Sequence, residues 1–392
     1  MNILFIADQY KTGGAADALV EMATLLQNDY NSDITVLTGH KNELGNRLSS
    51  ERLNYLFCGY RQFSFTKQNR GKWRFIHKAL RPLYIFLYYI YNLKALSIAR
   101  KSIDFKTIDI IHSNVNRNDF GALLSTKYSI PHIWQLRECP TGHFVLGFNR
   151  VHPAEYMNKN TTRFIAISEF VKGEWVGFGL DKDRIDVIYD GVDMSEIKEK
   201  EDYEKGKTVR IVCVGDITPQ KGQHLIIDAM KDIKVSDTII ELDFWGNGNK
   251  DYIESLLNNL ELADNISINY KGYNKNVKTV LNQYDIGINP SINEGFGRTT
   301  VEYMAAGLCV LALNSGGNME LIKDKKTGFL FDNSNGLTQL IEKCINNYSL
   351  VQEMGERGKK WARSKMDMRK NIEEYYSLYS ELVLKKSDSI KV

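Results

Sequence analysis

Short apolar runs rich in β-branched residues recur along the first half of the chain, and polar or helix-periodic stretches separate them. The first run, NILFIA at residues 2–7, leads into a glycine-bearing loop and then into a helical pattern over residues 18–27. Further runs lie at residues 34–38, 109–113, 132–136 and 164–168. Apolar runs that alternate with helical patterns predict parallel strands joined by crossover helices.

The same pattern begins again at residues 209–216, VRIVCVGD. Later strand candidates are residues 239–246, 266–273, 285–290 and 308–313. The charged residues 196–207 have no apolar period, and we expect them to link two domains. The sequence therefore predicts two doubly wound α/β domains, at residues 1–190 and 191–365. A C-terminal helix at about residues 366–392 is expected to pack back on the first domain.

The length of 392 residues is too great for one ordinary core, which agrees with two domains. Ligands of doubly wound sheets bind beyond the carboxyl ends of the strands. Two facing sheets of this kind would therefore place a binding site in a central cleft between the domains.

Composition argues against several other classes of protein. Hydrophobic residues make up 43% and charged residues 25% of the chain, as in ordinary globular proteins. The five cysteines are scattered and never form C-x-x-C, which argues against a disulfide framework and a structural zinc site. The N-terminus lacks the features of a signal peptide, and the longest apolar run, residues 82–93, is too short to span a bilayer. We therefore expect a cytoplasmic protein.

The net charge of +3 hides a strongly basic segment. Residues 52–103 contain 11 basic residues and no acidic one, and within residues 67–101 the basic residues alternate with Trp, Phe and Tyr. This pattern suits a surface that docks on anionic lipid. A nucleic-acid patch and a core helix flanked by solvated lysines are the alternatives. We expect residues 61–101 to contact an anionic membrane surface, and we expect no nucleic-acid partner.

Two loops that follow predicted strands carry residues suited to phosphate. The first loop places Gly13 and Gly14 before a helix, where the backbone can approach an anion closely. It lacks the G-x-G-x-x-G fingerprint, and a tight strand-to-helix turn explains it equally well. The loop after residues 209–216 offers Lys221 beside Gly222. A lysine there supplies a mobile cation, although a solvated surface lysine is the alternative.

The stretch NPSINEGFGRTTVEYMAAG, residues 289–307, carries Glu294 and Glu302 on either side of a turn made by Gly295 and Gly297. A helix is predicted after the turn, and the free N–H groups of its first turn form an anion site. One glutamate lies before the helix and the other more than a turn inside it, so the two cannot share a proton. They are spaced to contact different parts of one ligand, and carboxylates accept paired hydroxyl groups well. A capping acid and a surface residue are the alternative.

Residues 285–322 resemble the nucleotide-sugar signature of the family-4 retaining glycosyltransferases, which have the GT-B fold of two Rossmann-like domains. The signature is a glutamate, seven residues and a second glutamate, followed by a strand, a Gly-Gly turn at Gly316 and Gly317, and Glu320. Three other segments are similar to the same family, at residues 11–23, 164–193 and 214–230. The resemblance covers nearly the whole chain, and four motifs in the family's order are far more specific than any one of them.

The resemblance implies a role for each matching position. Glu302 would bind the ribose hydroxyls, Glu294 the transferred sugar and Lys221 the diphosphate, while Tyr273 would lie near the base. Backbone N–H groups of the two glycine loops would hold phosphates. The donor-binding set implied in full is Gly13, Gly14, Lys221, Tyr273, Glu294, Gly295, Phe296, Gly297, Arg298, Thr299 and Glu302.

Two departures from the family pattern matter. Many members have an arginine where this chain has Asp216, and we expect Arg298 to supply the missing cation. Many members also have a histidine where this chain has Arg137 and Glu138. We expect these two residues to contact the acceptor, and Arg137 to act in catalysis with Lys221, Glu294 and Arg298. Asn114 is a further acceptor candidate, and His112 is a lesser one because a buried histidine at a strand end is more often structural.

The resemblance implies transfer of a hexose from a UDP- or GDP-sugar with retention of configuration. The one Asp-x-Asp stretch, residues 181–183, is expected to be solvated charge, so we expect no metal and no other cofactor. The expected acceptor is a lipid-linked precursor of a capsule, exopolysaccharide or lipopolysaccharide, at the inner face of the cell membrane. A sugar-nucleotide epimerase or synthase of the same fold and a non-catalytic GT-B partner subunit are the alternatives.

Overall fold

The computed structural model describes residues 1–7, 13–41, 43–66, 74–141, 146–204, 206–258 and 260–390. The chain divides into two compact units. Unit 1 comprises Met1–Asp190 and Met368–Val392, and unit 2 comprises Gly191–Asp367. The backbone therefore passes between the units twice, once after Asp190 and once after Asp367.

Unit 1 is built on a parallel sheet. Its elements before the first crossing are β1 (Asn2–Ala7), α1 (Gly14–Asp29), β2 (Asp33–Thr38), α2 (Glu43–Ser50), β3 (Asn54–Phe57), β4 (Ser64–Thr66), α3 (Arg74–Ser102), β5 (Ile110–Ser113), α4 (Phe120–Tyr128), β6 (His132–Leu136), β7 (Leu146–Phe148), α5 (Pro153–Asn160), β8 (Arg163–Ala166), α6 (Glu169–Phe178) and β9 (Ile185–Val187). Seven strands form the sheet in the order β3-β2-β1-β5-β6-β8-β9, and β4 pairs antiparallel with β7. The central strands β1 and β5 are buried along nearly their whole length and show no alternation of buried and exposed positions, as expected for a parallel sheet covered on both faces.

Unit 2 repeats this plan. Its elements are β10 (Thr208–Val214), α7 (Gln223–Lys231), β11 (Ile239–Trp245), α8 (Lys250–Leu257), β12 (Ile266–Gly272), β13 (Ile286–Asn289), α9 (Arg298–Ala306), β14 (Cys309–Leu313), α10 (Asn318–Leu321), β15 (Phe329–Phe331), α11 (Ser334–Asn346) and α12 (Ser349–Lys365). The strands form a parallel sheet in the order β12-β11-β10-β13-β14-β15. The chain adds strands on one side of β10 and then on the other, so the direction of winding reverses between β10 and β13.

The last helix, α13 (Met368–Ile390), belongs to unit 1. Its apolar face packs on α1, and it buries Tyr375 and Tyr379 in the core that also contains Ile3 and Ile133. Within the part of the chain that the structure describes, each helix is too short or too polar to cross a membrane.

The prediction that residues 196–207 link the two domains is wrong, because this segment lies inside unit 2. The Lys200 N–H donates to the Ala306 carbonyl at 2.8 Å, and the Tyr203 hydroxyl donates to the Gly307 carbonyl at 2.8 Å. A helix leaves its last carbonyls without intrahelical partners, and here the segment binds them at the end of α9. A charged stretch without an apolar period is typical of a surface segment of a domain as well as of a linker, so the sequence pattern does not distinguish the two.

Candidate functional site

The candidate site lies beyond the carboxyl ends of β10 and β13. A doubly wound sheet opens a crevice where its winding reverses, and ligands bind there. The two loops that follow these strands touch each other, since the Ile292 N–H donates to the Gln220 carbonyl at 3.2 Å. Gly222 has φ of +73°, and a Cβ there would lie 2.2 Å from the Pro290 carbonyl oxygen. Only glycine therefore allows the loops to approach this closely.

Lys221 and Glu294 form an ion pair across this crevice. The Nζ of Lys221 lies 2.7 Å from Oε2 of Glu294, with the side chains 37% and 22% exposed. Glu294 raises the pKa of the Lys221 ammonium against the opposing effect of burial. Burial alone would raise the pKa of the Glu294 carboxyl, but Lys221 and a hydrogen bond from Ser291 lower it. Each residue therefore holds the other in its charged form.

The Gly-Gly turn after β14 supports the backbone of Glu294. The Gly317 N–H donates to the Glu294 carbonyl at 2.7 Å. A Cβ at Gly316, which has φ of +60°, would lie 2.4 Å from the same carbonyl oxygen. The predicted turn and the predicted glutamate are thus in direct contact, and Glu320 follows in α10.

Helix α9 begins at Arg298, directly after Gly297, which has φ of +100°. The first N–H groups of a helix have no intrahelical carbonyl partner, and the helix dipole makes that end favourable for an anion. The first turn is held in place because the Thr300 hydroxyl donates to Oδ1 of Asn318 at 2.8 Å. Phe296 is buried in the preceding turn. Gly295 and Thr299 complete the segment between the two glutamates.

Arg298 is directed toward the segment where the chain enters unit 2. Its Nη1 donates to the Gly191 carbonyl at 2.9 Å. The guanidinium thus stands at the N-terminus of α9 but also holds the backbone. Its predicted role as a second phosphate cation stays a prediction.

Glu302 lies inside α9 and is almost fully buried. Its Oε1 is 3.7 Å from Nζ of Lys278, which lies on a short 3-10 helix at Val277–Gln283. Lys278 was missed by the sequence reasoning, because nothing in its local pattern separates it from other surface lysines. Tyr273, expected near the base, follows β12 and is exposed.

The predicted residues of unit 1 lie at the carboxyl edge of its own sheet. Gly13 and Gly14 stand at the start of α1, and the Asn114 amide donates to the Ala15 carbonyl at 3.0 Å. Part of the predicted glycine loop, residues 8–12, lies outside the described residues.

Arg137 is buried, and its guanidinium is occupied by protein groups. It donates to Oδ2 of Asp190 at 2.6 Å, to the carbonyl and side chain of Asn114 at 2.9 and 3.1 Å, and to Oε1 of Gln135 at 3.2 Å. This arrangement favours a role in holding Asp190 and Asn114 over direct contact with a substrate. The sequence does not predict that Asp190 pairs with Arg137, because the two residues are 53 positions apart.

The neighbouring candidates differ in exposure. Glu138 is partly exposed, and its carboxylate lies 3.8 Å from Nε of Arg117. His112 is fully buried between Tyr379 and Gln135, and burial lowers its pKa to about 3. A buried, neutral histidine with these partners suits a structural role better than contact with the acceptor, as expected for a histidine at the end of a buried strand.

The Asp-x-Asp stretch at residues 181–183 is exposed, and the Asp181 carboxylate accepts from the Asp183 N–H at 3.1 Å. Across the described ranges, no group of three or more His, Cys, Asp or Glu side chains is arranged to hold a metal ion.

The geometry of unit 2 combines a lysine, a helix N-terminus and two separated carboxylates at one sheet edge. A cation and free N–H groups suit phosphate oxygens, and the carboxylates suit hydroxyl groups. A doubly wound α/β domain with this set of groups is suited to a phosphorylated, hydroxyl-rich ligand.

Comparison with known proteins identifies the family. Residues 194–361 match the family model described as glycosyl transferases group 1, and residues 13–196 match the model described as glycosyltransferase family 4. The chain is 29% identical over 373 residues to the uncharacterized glycosyltransferase MJ1178 of Methanocaldococcus jannaschii, covering 91% of this chain and 99% of that protein. The chain belongs to the family-4 glycosyltransferases of group 1.

Two further matches extend the comparison. The chain is 26% identical to the capsular polysaccharide biosynthesis glycosyltransferase CapM of Staphylococcus aureus, over 58% of this chain and 63% of CapM. The structure is similar to that of Anabaena Alr3699/HepE in complex with UDP and glucose, with a TM-score of 0.76 and 20% identity over 97% of this chain and 100% of that one. The predicted GT-B fold is confirmed.

Proposed function

We propose that this protein transfers a hexose from a UDP- or GDP-sugar to a hydroxyl group of a surface-glycan precursor, with retention of configuration and without a metal ion. The observation that carries the proposal is the Lys221–Glu294 pair across the β10/β13 crevice, beside the N-terminus of α9. A cation suited to phosphate, a helix N-terminus and a carboxylate suited to sugar hydroxyls lie together at the sheet edge, and this supports the proposal.

The residues divide the work of the proposed reaction. Lys221, Arg298 and the first turn of α9 stabilise the departing diphosphate, Glu294 binds the hydroxyl groups of the transferred sugar, and Glu302 binds the ribose. The bond between the anomeric carbon and the phosphate oxygen breaks while the acceptor oxygen bonds to the same face of that carbon. The acceptor proton passes to the departing phosphate oxygen, which balances the step.

The class of acceptor is supported by relatives. CapM is named for capsular polysaccharide biosynthesis, and WcaL of Salmonella typhimurium is named as a putative colanic acid biosynthesis glycosyltransferase. UDP as the donor nucleotide is supported by the UDP and glucose in the HepE complex. We therefore place the acceptor among the precursors of such polysaccharides.

We further propose that the reaction takes place on a lipid-linked acceptor at the cytoplasmic face of a membrane, with α3 in contact with anionic lipid. Helix α3 carries no acidic residue and exposes large apolar side chains, among them Leu83 at 52% and Phe86 at 60%. Arg81 and Lys94 lie on the same helix. Apolar side chains with basic neighbours are the combination that binds an anionic lipid surface.

Ligand-dependent stability and product analysis test the reaction. Among UDP-, GDP- and ADP-sugars, we expect one UDP- or GDP-sugar to raise the melting temperature, because a ligand of the native state stabilises it. With that donor and a glycan acceptor, we expect a product of retained anomeric configuration, formed equally well with EDTA.

An inverted anomer would refute the mechanism, and loss of turnover with EDTA would refute metal independence. An epimerised sugar, or transfer to a soluble small acceptor in place of the glycan, would favour an epimerase or synthase.

A further inference from the structure

Lys221 and Glu294 have different partners in the proposed reaction but bind each other in the structure. Lys221 is assigned to the diphosphate and Glu294 to the sugar, and their charged atoms are 2.7 Å apart. A diphosphate that takes Lys221 must therefore compete with the Glu294 carboxylate. Binding of the diphosphate at Lys221 and binding of the sugar at Glu294 are therefore coupled, because both require the same ion pair to open.

The ion pair is held by its surroundings. Lys221 ends a short 3-10 helix at Pro219–Lys221, next to Gly222 in its left-handed conformation. The Glu294 carbonyl accepts from the Gly317 N–H, and its carboxylate interacts with Ser291. Because both backbones are fixed, the two side chains meet without long-range movement.

Free nucleoside diphosphate and nucleotide sugar differ in what they offer this pair. The free diphosphate has a terminal phosphate group that carries an extra negative charge near neutral pH. It would bring that charge beside Glu294 and also leave the carboxylate without its lysine. A nucleotide sugar lacks the extra charge and supplies hydroxyl donors, which replace the lost contact of Glu294.

We propose that Glu294 is a specificity-determining residue that competes with free nucleoside diphosphate for Lys221 and so favours the intact nucleotide sugar over the spent product. This inference rests on the proposed function, because it takes the same site to be the donor site. The consequence is that Glu294 promotes release of the nucleoside diphosphate after transfer.

The variant Glu294→Gln separates this role from simple sugar binding. Glutamine keeps the size of the side chain and its capacity to bond sugar hydroxyls, but it has no charge to hold Lys221. We expect Glu294→Gln to bind free UDP or GDP about 2- to 5-fold more tightly than the wild type, the range expected for a partly exposed ion pair. Affinity for the nucleotide sugar should stay equal or fall, so the preference for the sugar-bearing ligand decreases.

Calorimetric titration of the full chain measures this preference, with UDP against UDP-glucose and GDP against GDP-mannose as probes. The variants are Glu294→Gln, Lys221→Met and the double variant, each first shown to melt cooperatively. The gain from Glu294→Gln should vanish in the Lys221→Met background, because the competition requires the lysine. Glu241→Gln is the matched control: it removes a glutamate from an ion pair with Arg210 on the surface of unit 2, and it should leave both affinities unchanged.

The outcomes separate the two hypotheses. If the wild type binds a nucleoside diphosphate but Glu294→Gln binds it no more tightly, this inference is overturned and the proposed function stands. If Glu294→Gln gains affinity equally with and without Lys221, competition for the lysine is also overturned. Absence of binding by the wild type to every probe overturns the proposed function and this inference with it.

Discussion

At the scale of single residues, the Lys278–Glu302 pair gives the first prediction. The lysine stands 3.7 Å from the carboxylate assigned to the ribose, and both side chains are mostly buried. Lys278→Met should weaken binding of UDP by about 3-fold, while binding of 2′-deoxy-UDP should change less, because positioning Glu302 matters most when both ribose hydroxyls are present. Calorimetry with the two nucleotides measures the difference.

Lys275→Met is the control for Lys278, since Lys275 is exposed two residues before the 3-10 helix. Equal losses for UDP and 2′-deoxy-UDP would show that Lys278 does not act through Glu302 and the ribose.

Arg298 gives the second prediction at this scale. Its guanidinium at the start of α9 donates to the Gly191 carbonyl. Replacing Arg298 with alanine therefore removes a positive charge and also removes a hydrogen bond that holds the backbone at Gly191. Arg298→Gln keeps a donor for the carbonyl but removes the charge. We expect both Arg298→Gln and Arg298→Ala to lower turnover by about 10-fold or more, and Arg298→Gln to preserve the melting temperature better than Arg298→Ala. Unchanged donor affinity and turnover in both variants would remove Arg298 from the site.

At the scale of elements, the exposed face of α3 predicts a measurable lipid affinity. The double variant Leu83→Ser and Phe86→Ser should reduce binding to phosphatidylglycerol vesicles by about 10-fold or more, because each side chain loses apolar contact with the bilayer. Cosedimentation at low and high salt measures binding, and high salt should weaken the wild type. Leu384→Ser is the matched control, since Leu384 on α13 is 64% exposed. Absence of wild-type binding at low salt would refute the proposal.

The elements also show what the sequence could predict. The buried strands such as β1 and β10 were predicted almost to the residue, because a continuous apolar run is a strong signal. The strands β3, β9 and β15 were not predicted, since they have three or four residues and lie at the edges of their sheets. The Gly-Gly turn and Glu294 were predicted as motifs, but their direct contact was not. Pairings such as Lys221–Glu294 and Arg137–Asp190 depend on how distant loops meet, and local spacing does not encode that.

At the scale of the whole molecule, unit 1 depends on a buried polar network between its sheet and α13. The His112 ring contacts the Tyr379 hydroxyl and Oε1 of Gln135, and the Gln135 amide donates to the Tyr375 hydroxyl at 2.7 Å. His132 is also fully buried, with Nε2 at 2.9 Å from the Ser113 hydroxyl. Residues from the first and last parts of the chain therefore share one core, and the histidines within it must stay neutral.

This requirement predicts an acid-sensitive unit 1. Burial lowers the pKa of His112 and of His132 to about 3, and the charge of Arg137 contributes to the shift at His112. An unfolded chain has histidine pKa values of about 6.5. Between these values the unfolded state binds more protons than the folded state, so stability falls as the pH falls. The two groups together should remove roughly 2–3 kcal/mol of unfolding free energy between pH 7 and pH 5.5.

Amide hydrogen exchange, followed by mass spectrometry across this pH range and corrected for the intrinsic rate, reports the units separately. Protection in β5, β6 and α13 should fall more than protection in β10 and β13. His112→Gln and His132→Gln should each flatten the pH dependence of unit 1, even if they lower its stability at pH 7, because the group that titrates is gone. His224→Gln in α7 is the control in unit 2 and should change nothing. A pH dependence equal in the two units and unaffected by the two unit 1 variants would show that the buried histidines do not set the acid limit of the fold.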